Sequence, residues 1–417
     1  MTRILHTSDW HLGATLEGAS RDEEHERFLA WLETTLANER VEVLVIAGDV
    51  FDQSQPSAEA QRMYYRFLHR VGLGGLVRKV VVVGGNHDSA SRLDAPAELL
   101  AGLDVHVVGG LQADPSTWDR CLCPLRNQRG EIDAVVAAVP FVHEYRLGVR
   151  TVLREPAEVR ASFRQEFSRL YRELTDRALT MSNGAPVIAT GHLACTAQGA
   201  SLEKGDTPFE VHMIGLIGAL DPAIFDPRIA YVALGHIHRS YRVGDSAAWY
   251  SGTPVPMSLA EAGSGKRKVL IAEVGRSEPA SVRAIEVPRW RGVVEVAGAP
   301  SEVGPKLASL SWSEDLPPLV FVTVEVEAHL PGIEAQVRTA FESNPRKGAK
   351  LLRVQEKLRA GREATEATSE PGEVLRDLAP EDVFRRLCAE HRVEVDTDLL
   401  AAFHTLIAEA SQGQVRS

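Results

Sequence analysis

The chain is short of cysteine, of basic charge and of long apolar runs, and each shortage narrows what it can be. Four cysteines in 417 residues, Cys121, Cys123, Cys195 and Cys388, are too few and too scattered for a disulfide framework. Apart from the close Cys121/Cys123 pair they lack zinc-site spacing, so they read as free thiols of a reducing compartment. No run approaches the roughly 18 consecutive apolar residues of a membrane span, and Met1 leads into a strand-like Arg3-Ile4-Leu5 without a signal-peptide pattern. The expectation is a soluble, cytoplasmic protein with no membrane association. Basic residues are outnumbered, 46 Lys and Arg against 57 Asp and Glu for a net charge of −11, which counts against a self-sufficient nucleic-acid binder. A DNA-binding surface would have to be local or lent by a partner. Internal repeats and long charge blocks are absent too.

What is present is ordinary globular usage, 44% hydrophobic and 25% charged, in a chain longer than a usual single domain. From residue 1 to about 275, short β-branched runs alternate with longer amphipathic segments, the pattern of an α/β domain. The runs are Arg3–His6, Val41–Ala47, Lys79–Val83, Ala134–Val139, Val187–Thr190, Ile229–Leu234 and Lys268–Val274. Helical spacing of apolar residues marks Glu23–Arg40 and Ser57–Val71, and residues 144–183 read as one or two surface helices.

A second, small α/β module over 276–358 is expected to dock on the first, with strands Val293–Val296 and Leu319–Val326 and helices Ser301–Leu310 and Gly332–Glu342. Residues 359–379 read as a polar linker, and 380–417 as C-terminal helices, Pro380–His391 and Asp396–Ala410. Apolar stripes on these two helices, Phe384 with Leu387 and Phe403 with Leu406 among them, suit docking of a partner.

Five segments place His, Asp or Asn just after a buried-looking strand. They are Asp9-Trp10-His11, Gly48-Asp49, Gly85-Asn86-His87-Asp88, Gly191-His192 and Gly235-His236-Ile237-His238. Carboxyl ends of strands in an open α/β sheet share one edge, the edge where ligands bind, so residues distant in sequence converge there. Pairs such as Asp9/His11 and His236/His238 point the same way in extended backbone, and glycine keeps the chain close to whatever is bound. Mixed imidazole and oxygen ligands favour Mn, Fe or Zn over Ca or Mg. Each segment alone is weak, since Asp-x-His is often incidental and Gly-Asp is often a turn. All five in order leave little room for coincidence. His6, His25, His69 and His212 read as structural or exposed, Cys195 as a small buried side chain, and Trp10 and Phe51 as walls of the site.

The five segments in this order resemble those of the calcineurin-like metallophosphoesterases. The wording Asp9-Trp10-His11-Leu12-Gly13, Gly48-Asp49-Val50-Phe51-Asp52, Gly235-His236-Ile237-His238-Arg239 and Ser251-Gly252-Thr253-Pro254-Val255-Pro256 is similar to the SbcD-type nuclease family. The resemblance implies a metallophosphoesterase fold, two β-sheets sandwiched between helical layers, with a small α/β cap domain and C-terminal helices. It implies two Mn²⁺ ions per chain, with Mg²⁺ or another divalent metal as alternatives. Asp9, His11 and His238 would hold one, Asn86, His192 and His236 the other, with Asp49 shared and His87 beside the scissile phosphate as the catalytic residue. Position 52, often His in archaeal and eukaryotic relatives, is Asp here, and its role stays open. The implied activity is hydrolysis of DNA phosphodiesters by exo- and endonuclease action, through two ions that activate water and neutralise phosphate charge. The implied partners are an SbcC-type ATPase and DNA, with a homodimer inside a heterotetramer. A small-molecule phosphodiesterase or phosphatase on the same fold remains an alternative, and a scaffold without catalysis would be marked by lost ligands, none of which is lost here.

Overall fold

The computed structural model describes residues 1–149, 156–196, 219–263, 265–276, 279–343 and 348–358, and beyond them residues 384, 388, 399, 400 and 403. Two six-stranded sheets form its core. In the first, Ser281–Glu286, Lys268–Val274, Thr2–Thr7, Val43–Ala47, Lys79–Val83 and Val105–Val108 lie side by side in that order. The last four run parallel, and Lys268–Val274 pairs antiparallel with Thr2–Thr7. The second runs Tyr241–Arg242, Ala248–Tyr250, Ile229–Gly235, Val187–His192, Ile132–Ala137 and Leu122–Arg126.

Period-two alternation explains why the first sheet reads as unbroken apolar runs. Ile4, Val43, Val45, Val81 and Val83 face the second sheet, while Leu5, Leu44, Ile46, Val80 and Val82 face the helices Asp22–Asn38 and Ala58–Leu73. Both faces are covered, so neither can be polar. Ser57 caps the second of these helices by accepting the Ala60 N–H, a usual N-cap. Residues 144–183 become a 3-10 turn, Glu144–Leu147, and one helix, Pro156–Ser182. That helix is amphipathic, burying Val159, Phe163, Phe167, Leu170 and Leu174 against the second sheet.

Past residue 275, Ser281–Glu286 belongs to the first sheet and pairs with Lys268–Val274. It is a largely exposed edge strand whose polar outer face carries no burial signal. The first strand of the small module's sheet, Arg291–Gly298, pairs in parallel with Leu316–Val326, itself parallel to Lys350–Leu358. Helices Pro300–Ala308 and Ile333–Ser343 make the crossovers, and Val303, Leu307, Ile333 and Val337 close a separate core. The module docks through Leu16, which packs against Leu319 and Phe321, and through ion pairs Arg27–Asp315 (2.8 Å) and Arg353–Glu17 (3.0 Å).

Residues Met1–Leu358 form one compact unit and Arg359–Ser417 another. In the second, Phe384 and Phe403 stack at 4.0 Å with their rings 11° apart. The linker 359–379 and most of the expected helices Pro380–His391 and Asp396–Ala410, like His212, lie outside the described residues. Among the described residues no helix is long and apolar enough to cross a membrane.

Candidate metal centre

All five segments meet at one edge, where the carboxyl ends of Thr2–Thr7, Val43–Ala47 and Lys79–Val83 face those of Val187–His192 and Ile229–Gly235. The expectation that Asp9/His11 and His236/His238 converge through extended backbone is corrected here. Asp9 (φ 53°), His11 (48°), Asp49 (48°) and His236 (95°) all adopt left-handed backbone, which costs of order 1–3 kcal/mol each for non-glycine residues. Hydrogen bonds hold them there. Asp9 N–H donates to Gly48 O (3.0 Å), His11 N–H to Asp49 O (3.1 Å) and His236 N–H to Asp9 Oδ1 (2.9 Å).

Glycine matters at this edge for closeness more than for turning. A Cβ on Gly85 would collide with the Asp49 carboxylate, and one on Gly48 or Gly235 with the His192 ring. Only Gly48 among these three also needs positive φ, 92°.

Asp49 sits at the middle. Its Oδ2 lies 3.2 Å from Nε2 of His192 and 3.7 Å from Nε2 of His11, while Oδ1 accepts the His87 N–H at 2.9 Å. On one side, Oδ1 of Asn86 is 3.0 Å from His192 Nε2 and 2.9 Å from His236 Nδ1. On the other, the Nε2 atoms of His11 and His238 approach to 3.2 Å, with Asp9 within metal-holding reach of both. Asp9, Asp49 and His192 form a further such group, as do His11, Asp52 and His87. All seven expected ligand positions and His87 are therefore brought together.

The charge balance fits a cation. Asp9 and Asp49 are buried and Asp52 and Asp88 half-buried, yet among the described residues none of the four meets a lysine or arginine. Burial would raise the Asp49 pKa, but His192, His11 and His87 together depress it well below the usual carboxylate range. Burial would lower that of His192, but Asp49, Asp9 and the Ala47 carbonyl raise it to about 9. Burial and the neighbouring His192 lower His236 to about 3. A field that pulls a proton onto a buried imidazole between carboxylates is one that a divalent ion would satisfy.

Three carboxylates to which the sequence assigned no role take supporting positions. Asp52 Oδ1 stands 3.3 Å from His11 Nδ1, and its main-chain carbonyl is 2.8 Å from His87 Nδ1. Glu261 Oε1 is 3.2 Å from His238 Nδ1, and its Oε2 accepts the Met257 N–H at 2.8 Å. Asp88 accepts the backbone N–H groups of Gly85, Val50 and Phe51, knitting two loops together. Burial, then Asp49, raises its pKa to about 6. Asp88 stood in a recognised motif and could have been suspected, whereas nothing in Ser258-Leu259-Ala260-Glu261 announces Glu261. Trp10 is no wall of the site. It is fully buried, edge-on to Phe28 and Phe67, with its indole N–H on Thr7 Oγ1 at 3.0 Å.

Residues 2–240 match the calcineurin-like phosphoesterase family model, and the chain belongs to that family. Over a longer stretch it is similar to the SbcD subunit of nuclease SbcCD from Rhodobacter capsulatus, 36% identical across 82% of this chain and 85% of the relative. The same-named protein of Escherichia coli strain K12 is 31% identical across 98% and 99%, and that of Bacillus subtilis strain 168 is 33% identical across 72% and 71%. The chain is thus a member of the SbcD family and a metal-dependent hydrolase of the nuclease class. A second model, described as the type 5 capsule protein repressor C-terminal domain, matches residues 289–392.

Proposed function

We propose that the chain is a Mn²⁺-dependent DNA nuclease, exonuclease and single-strand or hairpin endonuclease, that holds two metal ions and serves an SbcCD-type repair, recombination and replication complex. The observation that carries this reading is the Asp49 carboxylate, with one oxygen between His11 and His192 and a separate cluster of donors on each side. Asp9, His11 and His238 would hold one ion and Asn86, His192 and His236 the other, with Asp49 common to both. Bound divalent ions supply charge neutralisation of the phosphodiester and activation of water.

The chain's own residues do the positioning. Carbonyl oxygens only accept, so the contact between His87 Nδ1 and Asp52 O fixes a proton on Nδ1 and leaves Nε2 for the substrate. As the imidazolium, with a second proton on Nε2, His87 would protonate the leaving oxygen or stabilise its charge. Likewise, Ala47 O fixes the proton of His192 on Nδ1 and frees Nε2 as a ligand atom. An SbcC-type ATPase is the proposed partner, docking on 380–417, with a homodimer inside a heterotetramer. Four free, buried cysteines agree with a reducing cytoplasm.

The test is a metal-dependent assay on linear, hairpin and circular single-stranded DNA with Mn²⁺, Mg²⁺ and no metal, beside metal analysis of Asp49→Asn. Mn²⁺-dependent cutting and loss of both ions from the variant are expected. Hydrolysis of small phosphoesters without any cutting of DNA would overturn the substrate, and a single ion untouched by the substitution would overturn the two-metal centre.

A further inference from the structure

Two cavities adjoin along the loop Gly265–Arg267. One, about 340 Å³, opens beside His238 and includes Arg239, Thr253 and Lys268. The other, about 460 Å³, lies between the start of helix Asp22–Asn38 and the segment Val287–Arg291, with Trp290 in its wall. Both are lined by Gly265, Lys266, Arg267 and Glu286, so they read as one groove leading from the candidate metal centre toward the small module. Five cations line the second cavity and the first adds Arg239 and Lys268, against only Glu24 and Glu286. In a chain of net charge −11 this is a concentrated reversal of sign.

Some of that charge is structural. Arg21 and Arg291 bracket the buried Glu24 at 2.6 and 3.0 Å, and Lys266 pairs with Glu286 at 2.7 Å. Two cations are surplus. Arg289 gives one N–H to Ala262 O (3.1 Å) and meets no carboxylate among the described residues, and the Lys268 ammonium likewise has no ion-pair partner there. Trp290 packs partly on the core yet still lines the cavity, among Pro254, Pro256 and Pro288. Spaced cations beside one aromatic face are what a nucleic-acid strand requires, phosphates on the cations and a base on the ring.

We propose that this groove binds a single nucleic-acid strand running from His238, with phosphates on Lys268 and Arg289 and a base stacked on Trp290. The proposal rests on the DNA-nuclease reading above and adds the path of the strand. It is tested on the full chain in Mn²⁺ with a phosphorothioate oligothymidine that resists cutting, its matched duplex, and thymidine monophosphate as probes. The variants are Lys268→Glu with Arg289→Glu, the conservative Lys268→Arg with Arg289→Lys, and Trp290→Phe beside Trp290→Ala.

Charge reversal should weaken the single strand at least tenfold and lower the dependence of log K on log salt by about 1.4 between about 50 and 200 mM salt. The conservative pair should keep both, with melting temperatures and metal content as in the parent. Trp290→Phe should keep affinity that Trp290→Ala loses. Unchanged affinity and slope after reversal, in a protein that cuts DNA, would sink the groove while leaving the nuclease reading intact. Monophosphate bound as tightly as the strand, or a duplex weakened equally, would replace the single strand by another occupant and so overturn the proposal. A parent chain that neither binds nor cuts DNA would sink both readings.

Discussion

Asp52 Oδ1 lies 3.3 Å from Nδ1 of His11, on the side of the imidazole away from His238. Burial would raise the Asp52 pKa, but His11 lowers it, so the carboxylate stays ionised beside that ring. An imidazole held in this way presents Nε2 as a lone-pair donor and gains basicity. Asp52→Ala should therefore weaken the metal on the His11 side by about 10–100-fold. His87, which leans on the Asp52 main chain, should keep its place. Competition with a chelator measures this, and equal metal affinity in parent and variant would refute the supporting role.

Much of this centre was legible because each strand exit announces itself. A four-valine run Val80–Val83 ending in Gly84-Gly85-Asn86-His87 reads as a strand buried on both faces, and His or Asn at its end has no packing purpose. Backbone conformation was less legible. Asp9 and His236 reach the centre through positive φ, which a two-residue spacing does not encode and which depends on bonds to Gly48 and Asp9 from other loops. Glu261 was invisible for the same reason: its contact with His238 is tertiary, and its neighbours look like an ordinary helix start. The strand Ser281–Glu286 was missed because an exposed edge strand has no apolar period.

Gly85→Ala should act as a probe of closeness. The added methyl would strike the Asp49 carboxylate and its backbone N, with no solvent to move into. Overpacking at a buried site costs typically 1–3 kcal/mol. The expected outcome is a lowered midpoint of denaturation together with weakened binding at both metal positions. A variant with parental stability and metal content would show that the loops slide apart freely.

His87→Asn separates chemistry from metal binding. The His87 backbone N–H holds Asp49 Oδ1, and this bond survives any side-chain change. Both ions should therefore remain, while the cutting rate falls by the ~10²–10⁴-fold typical of general acid help. Single-turnover cutting at saturating metal is the measurement. Normal rates with two ions bound would remove His87 from the mechanism.

The last prediction concerns pH and lies away from the metal centre, at His6. This ring is buried between the sheets, with Nδ1 2.9 Å from Tyr231 Oη and Nε2 3.1 Å from Leu234 O. The carbonyl can only accept, so the proton sits on Nε2 and the tyrosine hydroxyl donates to Nδ1. Burial, opposed only in part by the Leu234 carbonyl, lowers the folded-state pKa to about 3 from an ordinary 6.5. Between those two values the unfolded chain binds a proton that the folded chain refuses. Stability from this residue is thus complete above about pH 6.5 and is lost as pH falls toward 3, by at most about 1.4 kcal/mol per pH unit. His6→Gln should be less stable at neutral pH, because an amide cannot reproduce both contacts, yet should lose less on acidification. Urea denaturation of parent and variant at pH 7.5, 6 and 5, at constant metal, gives the comparison. Parallel stability profiles for the two proteins would mean that His6 takes up its proton inside the fold as readily as outside it.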